Sequence, residues 1–326
     1  MIEHLSLEMF QDDIEDFERS VIAMPDISTV CTASDWQIAA YERLSDHRES
    51  RIIRRDTTWM LFCIGPVNRY RRVLQPFEMS WAFGTPLVGE DIEACVQLSL
   101  EVLLQDRPSW EMAVFSGLPE GGALALELRR TLGAHFHSES IAGSHCDQAF
   151  LHDGLDAWLE RRSRNFRVSL RKSERAAQEQ EIAFEWIDGV CDGAALLERI
   201  FQIERRSWKG ESGKSIYRNL PYRRFYETLC TRMGKRGLLR AIFAQHEGKD
   251  IAYAFGGTVG SVYRGFQISY NDQFAALGLG NLLQWRQMQK LAEEGITLYD
   301  LGMEMAYKKR WADRLQRFQT LLFVRG

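Results

Sequence analysis

Two glycines, Gly278 and Gly280, stand in the run Ala276-Leu277-Gly278-Leu279-Gly280-Asn281, between a strand-like segment and an amphipathic helical one. Glycine lets backbone approach a ligand closely, and the first turn of a helix leaves amide N–H groups unpaired. Those donors, at the positive end of the helix dipole, suit a phosphate or pyrophosphate held by Gly278, Leu279, Gly280 and Asn281. A Gly-x-Gly by itself equally marks an ordinary tight turn, so the weight falls on its surroundings. A second group, His135, His137, His145, Cys146, Asp147 and His152, offers side chains of the kinds that zinc takes. Its spacing matches no standard ligand pattern; it reads as a polar connector, and no metal is expected. A third group, Arg164, Arg167, Arg171 and Arg175, recurs on one helical face, where four cations repel unless something anionic is near. That face fits a phosphate, the acidic N-terminal half or nucleic acid. It fits equally a solvated face with Glu160, Glu174 and Glu179 as partial partners.

The elements around these groups follow from hydrophobic spacing. Ahead of the glycine turn, Leu238–Gln245, Ile251–Val259 and Ser261–Tyr270 are strand-like and joined by short turns, hence antiparallel hairpins. Behind it come the helix Asn281–Glu294, the strand Ile296–Leu301 and a last strand over residues 317–324. Upstream, the pattern predicts a helix over Asp156–Glu179, a strand at Ile182–Trp186, and helices over Asp192–Trp208 and Pro221–Arg232. In the first half it predicts a helix over residues 1–24, a strand at Ser28–Ala33 and a helix from Asp35. Strands at Thr57–Ile64 and Glu78–Val88, a helix over Asp91–Leu104, a strand at Trp110–Phe115 and a helix over Gly122–Leu132 follow. This is an α/β order without a catalytic motif. Its one phosphate-like turn, Phe83-Gly84-Thr85-Pro86, leads into a strand-like segment instead of a helix. The chain is therefore divided into a scaffold domain, residues 1–150, and a functional domain, residues 151–326.

Composition narrows the class. Hydrophobic content of 45% and charged content of 26% are those of a soluble globular chain, and no apolar run is long enough to cross a membrane. No membrane partner is expected. The acidic N-terminus MIEHLSLEMFQDDIEDFE does not read as a signal peptide. Six cysteines without Cys-x-x-Cys pairs point to a reducing compartment, and the cytoplasm is the expected location. Residues 151–326 hold 29 Lys and Arg against 21 Asp and Glu, leaving 12 against 24 for residues 1–150. A basic half beside an acidic one points to an anionic ligand on the basic half, or to mutual attraction between the halves.

The order strand, two helices, three antiparallel strands, glycine turn, helix, strand, loop and final strand resembles the GNAT acyltransferase fold. Ile203-Glu204-Arg205-Arg206-Ser207-Trp208-Lys209-Gly210, the helix opening near Asp156-Ala157-Trp158-Leu159, and Asp300-Leu301-Gly302 followed by Tyr307-Lys308-Lys309-Arg310-Trp311 narrow the likeness. They resemble the bacterial Fem-like acetyltransferase-domain family, which includes proteins associated with cellulose and exopolysaccharide biosynthesis. The likeness spans about residues 155–312. It implies an α/β fold of mixed, mostly antiparallel sheets flanked by helices, in tandem GNAT-like domains of which the first is degenerate. The chain departs from the pattern at two places. Ala275 stands where the family carries Gln or Arg three residues before the first glycine, and Met303-Glu304 where it often has a further glycine.

The resemblance also implies a chemistry: transfer of an acetyl or other acyl group from acyl-CoA to an amine, or a hydroxyl, of a small-molecule or saccharide-type acceptor. An attacking amine must lose a proton and a departing thiolate gains one. The likeness assigns the first task to Glu204, the second to Tyr307, and orientation of the acceptor to Asp300. Lys308 would steady an anionic group, Trp208 and Trp311 would wall the pocket, and Lys209 and Glu304 would lie on the substrate side. Each has a duller counterpart: an ion pair of Glu204 with Arg205 or Lys209, packing for Tyr307, loop capping for Asp300 and exposure for Lys308. Two alternatives keep the fold. A Fem-like transferase would take its donor from aminoacyl-tRNA, and a non-catalytic binding protein would carry a vestigial site. Oligomeric state is not indicated.

Overall fold

A computed structural model of the chain describes residues 1–45, 48–105, 110–207 and 215–325. It comprises two compact units, Met1–His145 with Gln316–Gly326, and Cys146–Leu315. The C-terminal strand is thus part of the first unit, and the second begins inside a strand that the sequence pattern did not predict.

In the first unit, Glu3–Leu5 (β1) ends at Ser6, whose hydroxyl accepts the Met9 N–H and opens the helix Leu7–Asp12 (α1). Helices Ile14–Ala23 (α2), Thr29–Thr32 (α3) and Ser34–Leu44 (α4) follow. The single helix expected over residues 1–24 is a strand and two helices. The strand expected at Ser28–Ala33 is a helical turn, because Val30, Cys31 and Thr32 are buried in succession between neighbouring helices. Strands Glu49–Arg55 (β2), Thr58–Val67 (β3) and Tyr70–Pro76 (β4) form an antiparallel meander. Of the strand expected over Glu78–Val88 only Leu87–Val88 (β5) pairs, against β3. The rest winds around the buried carboxylate of Glu78, which accepts the N–H groups of Trp81, Ala82 and Phe83.

The helix Ile92–Gln105 (α5) carries the chain to Met112–Pro119 (β6), which runs parallel to β4 through Val73↔Met112 and Leu74↔Ala113. Ala123–Leu132 (α6) and His137–Phe150 (β7) come next, and Arg314–Val324 (β13) pairs antiparallel with β6. The sheet order of this unit is β1-β2-β3-β4-β6-β13. Phe10, Phe17 and Trp59 meet edge to face at one end of its core, and Phe62, Phe115 and Phe323 at the other.

In the second unit the helix expected over Asp156–Glu179 is two, Leu155–Glu160 (α7) and Arg164–Glu179 (α8). The break falls at Ser163, whose hydroxyl accepts the Phe166 N–H as an N-cap. Ala183–Ile187 (β8), Gly193–Glu204 (α9) and Leu220–Lys235 (α10) lead to the antiparallel strands Leu239–His246 (β9), Lys249–Val259 (β10) and Val262–Tyr270 (β11). A short 3-10 turn, Asp272–Leu277, precedes the helix Leu279–Glu293 (α11), and Leu298–Met303 (β12) closes the crossover parallel to β11. The sheet order is β7-β12-β11-β10-β9-β8, with Cys146–Phe150 of β7 in this unit. Leu279, Leu282 and Leu283 bury the start of α11 against Ile242, Ala244, Ala252 and Ala254.

Candidate active site

Strands β11 and β12 pair only through Val262↔Leu298, Tyr263↔Tyr299 and Arg264↔Asp300. Beyond that rung they part, and two irregularities accompany the parting. One shifts the register opposite Phe255/Gly256, leaving Phe266 as an extra residue on β11. The other sets Leu301 and Gly302 of β12 opposite the single residue Asp147 of β7, with Gly302 at a left-handed φ of 81°.

The glycine turn lies at the N-terminus of α11. Gly278 has a φ of 65°, and no side chain caps the helix. The first bonds back to Gly278 come from the N–H groups of Asn281, 3.1 Å, and Leu282, 3.2 Å. The Leu279 and Gly280 amides therefore have no partner among the described residues. A Cβ on Gly278 would stand 2.5 Å from Ser173 Oγ of α8, whereas one on Gly280 would meet nothing closer than the Tyr270 ring, 3.6 Å away. Gly278 is thus fixed by backbone conformation and packing, whereas a Cβ at Gly280 would only touch the Tyr270 ring. The carboxamide Oδ1 of Asn281 accepts a hydrogen bond from Arg310 Nη2 at 2.5 Å.

The loop after β12 gathers the titratable groups. Tyr307 keeps 38% of its surface exposed, yet desolvation, and then the charge of Asp147, push its hydroxyl pKa up to about 12. Asp147 is buried, accepts the Met305 N–H at 3.3 Å, and has a carboxyl raised above its ordinary range, chiefly by desolvation. Lys308 is also buried; its ammonium donates to the Met303 carbonyl at 2.8 Å, and Glu304 pairs with Lys309 at 3.2 Å.

Other expected site residues take different places. Asp300 forms a buried ion pair with Arg264 and accepts the Gly302 N–H at 2.8 Å, which makes it a cap and counter-ion instead of a group reaching for an acceptor. Glu204 is fully buried. Its Oε1 accepts from the Tyr253 hydroxyl at 2.8 Å, and its Oε2 from Ser215 Oγ at 2.5 Å and the Tyr217 N–H at 3.4 Å. Trp311 is not a pocket wall: it is fully buried, stacked on Trp158 at 5.7 Å and edge-on to Phe166 at 4.8 Å. Trp208 and Lys209 lie outside the described residues. His137 and His152 pair with the exposed Glu139 and Asp153, and no group of three or more metal-ligating side chains forms among the described residues. Arg164, Arg171 and Arg175 are exposed and Arg167 half-buried, all without an ion pair among the described residues. Asp147 was visible in the sequence only as a member of the histidine-rich connector. Ser173 and Arg310 were hidden because neither lies near the glycine turn in sequence.

Residues 164–309 match the model of the acetyltransferase (GNAT) domain. That match lies within the second unit. The whole chain is also similar in fold to solved structures. FemX aligns at 11% identity with a TM-score of 0.68, over 98% of this chain and 96% of that one. A conserved protein of unknown function from Bacteroides thetaiotaomicron aligns at 12% identity with a TM-score of 0.67, over the full length of both. The C-terminal domain of a putative lysylphosphatidylglycerol synthetase from Agrobacterium fabrum aligns at 12% identity with a TM-score of 0.57, over 97% and 93%. No curated protein sequence matches the chain. The first unit repeats the meander, crossover helix and parallel strand of the matched region, β4 pairing with β6 as β11 does with β12.

Proposed function

We propose that the chain is an acyl-CoA-dependent N-acyltransferase, with the diphosphate of CoA at the Gly278–Asn281 turn and the acyl group between the parted ends of β11 and β12. The observation that carries this reading is the open start of α11, where two unpartnered amides follow a left-handed glycine and no side chain caps the helix. The residues fit the group, because Gly280 carries no side chain beside the two open amides and the nearest other atoms to its Cβ position are those of the Tyr270 ring, 3.6 Å away. When bound, the thioester supplies an activated acyl carbon. Tyr307, kept neutral by desolvation, holds a proton at its hydroxyl for a departing thiolate. Asp147, raised by burial and beside the same loop, is better suited to take the acceptor's proton than an ordinary surface carboxylate. Glu204 instead spends its lone pairs on Tyr253, Ser215 and Tyr217, and acts as a positioning residue that ties α9 to β10. The acceptor is an amine of a small-molecule or saccharide-type substrate, and the free cysteines support a cytoplasmic location.

One observation favours a second reading, an aminoacyl-tRNA donor: the four arginines of α8 lack carboxylate partners and are mostly exposed. Thermal unfolding with a panel of acyl-CoAs and with charged tRNA separates the two. The acyl-CoA reading expects a concentration-dependent rise in Tm with acetyl-CoA or a longer acyl-CoA. No shift with any of them, together with a salt-sensitive tRNA complex, would sink it.

A further inference from the structure

Arg310 is a cation in a place where helix electrostatics disfavour one. It lies beside the first turn of α11, with Nη2 2.5 Å from Asn281 Oδ1 and its guanidinium carbon 5.9 Å from the Phe166 ring centroid. The start of a helix carries about half a unit of positive charge, so a guanidinium beside it is repelled unless an anion sits between or beside them. No carboxylate takes that role: Arg310 makes no ion pair among the described residues, and its partner at the turn is the neutral amide of Asn281. Its neighbour Lys309 has Glu304, which sharpens the contrast. A guanidinium carries five N–H donors in a planar fork that matches phosphate oxygens, and the bond to Asn281 uses one.

A second side chain is directed at the same turn. Ser173 of α8 is only 8% exposed, and its hydroxyl stands 2.5 Å from where a Gly278 Cβ would be. It makes no hydrogen bond among the described residues. The side chain is largely buried, and its hydroxyl remains available to donate to a group placed at the turn. The turn is therefore surrounded by unfilled donors: the amides of Leu279 and Gly280, the hydroxyl of Ser173 and the remaining fork of Arg310. Meanwhile Ala275, at the position from which a polar side chain would be expected to reach the phosphate, offers only a methyl group.

We infer that Arg310, held in place by Asn281, is the cationic clamp on the CoA diphosphate, and that with Ser173 it takes over the side-chain contact that Ala275 cannot make. The contact is thus supplied from the loop after β12 and from α8, not from the segment before the glycines. This rests on the acyl-CoA reading of the turn and adds to it the residues that grip the ligand. The same loop carries Tyr307, so a ligand that engages Arg310 also orders the residue proposed to hold the proton.

The test is calorimetric titration of the full chain with acetyl-CoA and with S-acetylpantetheine, which lacks the diphosphate and the nucleotide. Arg310→Ala is expected to weaken acetyl-CoA binding about tenfold to a hundredfold, the range for one charge-assisted hydrogen-bonding group. Its affinity for S-acetylpantetheine is expected to stay at the wild-type value. Arg310→Lys should recover part of the loss, and Asn281→Ala, which releases Arg310 without removing it, should lose less than Arg310→Ala. Arg310 is exposed, and an unchanged Tm without ligand confirms that each variant is folded. If Arg310→Ala binds acetyl-CoA as wild type does, the clamp is wrong while the acyl-CoA reading stands. An equal loss toward both ligands would also overturn it, since the diphosphate would not be what Arg310 holds. Wild-type protein that binds neither ligand overturns the acyl-CoA reading and the clamp with it.

Discussion

Helices α5 and α11 do the same topological work in their two units. Each carries the chain from an antiparallel meander to a strand parallel with the meander's last one. They differ in the first turn. At α5 the carboxylate of Asp91 accepts the Glu93 N–H at 3.0 Å and its backbone carbonyl accepts the Cys95 N–H, so the helix start is filled by its own chain. At α11 a left-handed glycine stands in that place and two amides stay open. The strands differ as well. The β4/β6 pair is apolar at both rungs, and the groove beside it, a cavity of ≈ 550 Å³, is lined by Val73, Met112, Val114, Ile141 and Leu322. The β11/β12 pair instead ends on the buried Arg264–Asp300 ion pair. Just after β4, the Glu78 carboxylate occupies three further amides, and its pKa is raised by desolvation despite those bonds. The two helix starts thus differ in whether a carboxylate of the chain reaches their amides, and the proposed anion site is at the one that none reaches.

The contrast can be broken from either side. Gly280→Asp puts a carboxylate into the first turn of α11. It should weaken acetyl-CoA binding by about a hundredfold or more, through lost approach and added negative charge; an unchanged affinity would move the phosphate site elsewhere. Tyr307→Phe leaves the turn intact and should lower the rate of thiol release from acetyl-CoA by roughly a hundredfold at constant KM. A proton donor must be protonated to act, and a hydroxyl pushed up to about 12 stays protonated well past neutrality. The wild-type rate should therefore hold to at least about pH 10, and an earlier alkaline fall would assign the proton to another group. Asp147→Asn and Glu204→Gln separate two carboxylates of the second unit. The first should reduce turnover about tenfold or more. The second should chiefly destabilise the fold by about 1–3 kcal/mol, since it leaves buried donors short of an acceptor. A kcat loss in Glu204→Gln without a drop in Tm would reverse the assignment. Asp91→Ala in the first unit should have the smallest effect, about 1 kcal/mol of stability with acetyl-CoA affinity unchanged.

Much of the second unit was legible because its strands alternate cleanly and its turns are short: the β9–β11 hairpins and the glycine turn sit where periodicity puts them. Less could be read where pairing, not side-chain pattern, makes the element. His137–Phe150 is rich in small and polar residues and became visible as a strand only through its pairing with β12 and β13. Glu49–Arg55 and Tyr70–Pro76 are arginine-rich and were likewise passed over. Aromatic content misled at Glu78–Val88, where a buried carboxylate bends the backbone out of a strand. In the site, local motifs were readable and convergent ones were not. Gly278 and Gly280 announce themselves in six residues, whereas Ser173, Arg310 and Asp147, which join the proposed site, come from α8, the loop after β12 and β7. Asp300 and Trp311 fell at motif positions, but burial turned one into a counter-ion and the other into core.

The most direct test of the contrast between the units is the stoichiometry of acetyl-CoA binding to the full chain by isothermal titration calorimetry, repeated on Gly280→Asp. One saturable site per chain, lost in the variant, is the predicted result. Two sites would mean that the first unit also binds the donor, and heat that survives Gly280→Asp, or no heat in the wild type, would contradict the assignment of the α11 turn.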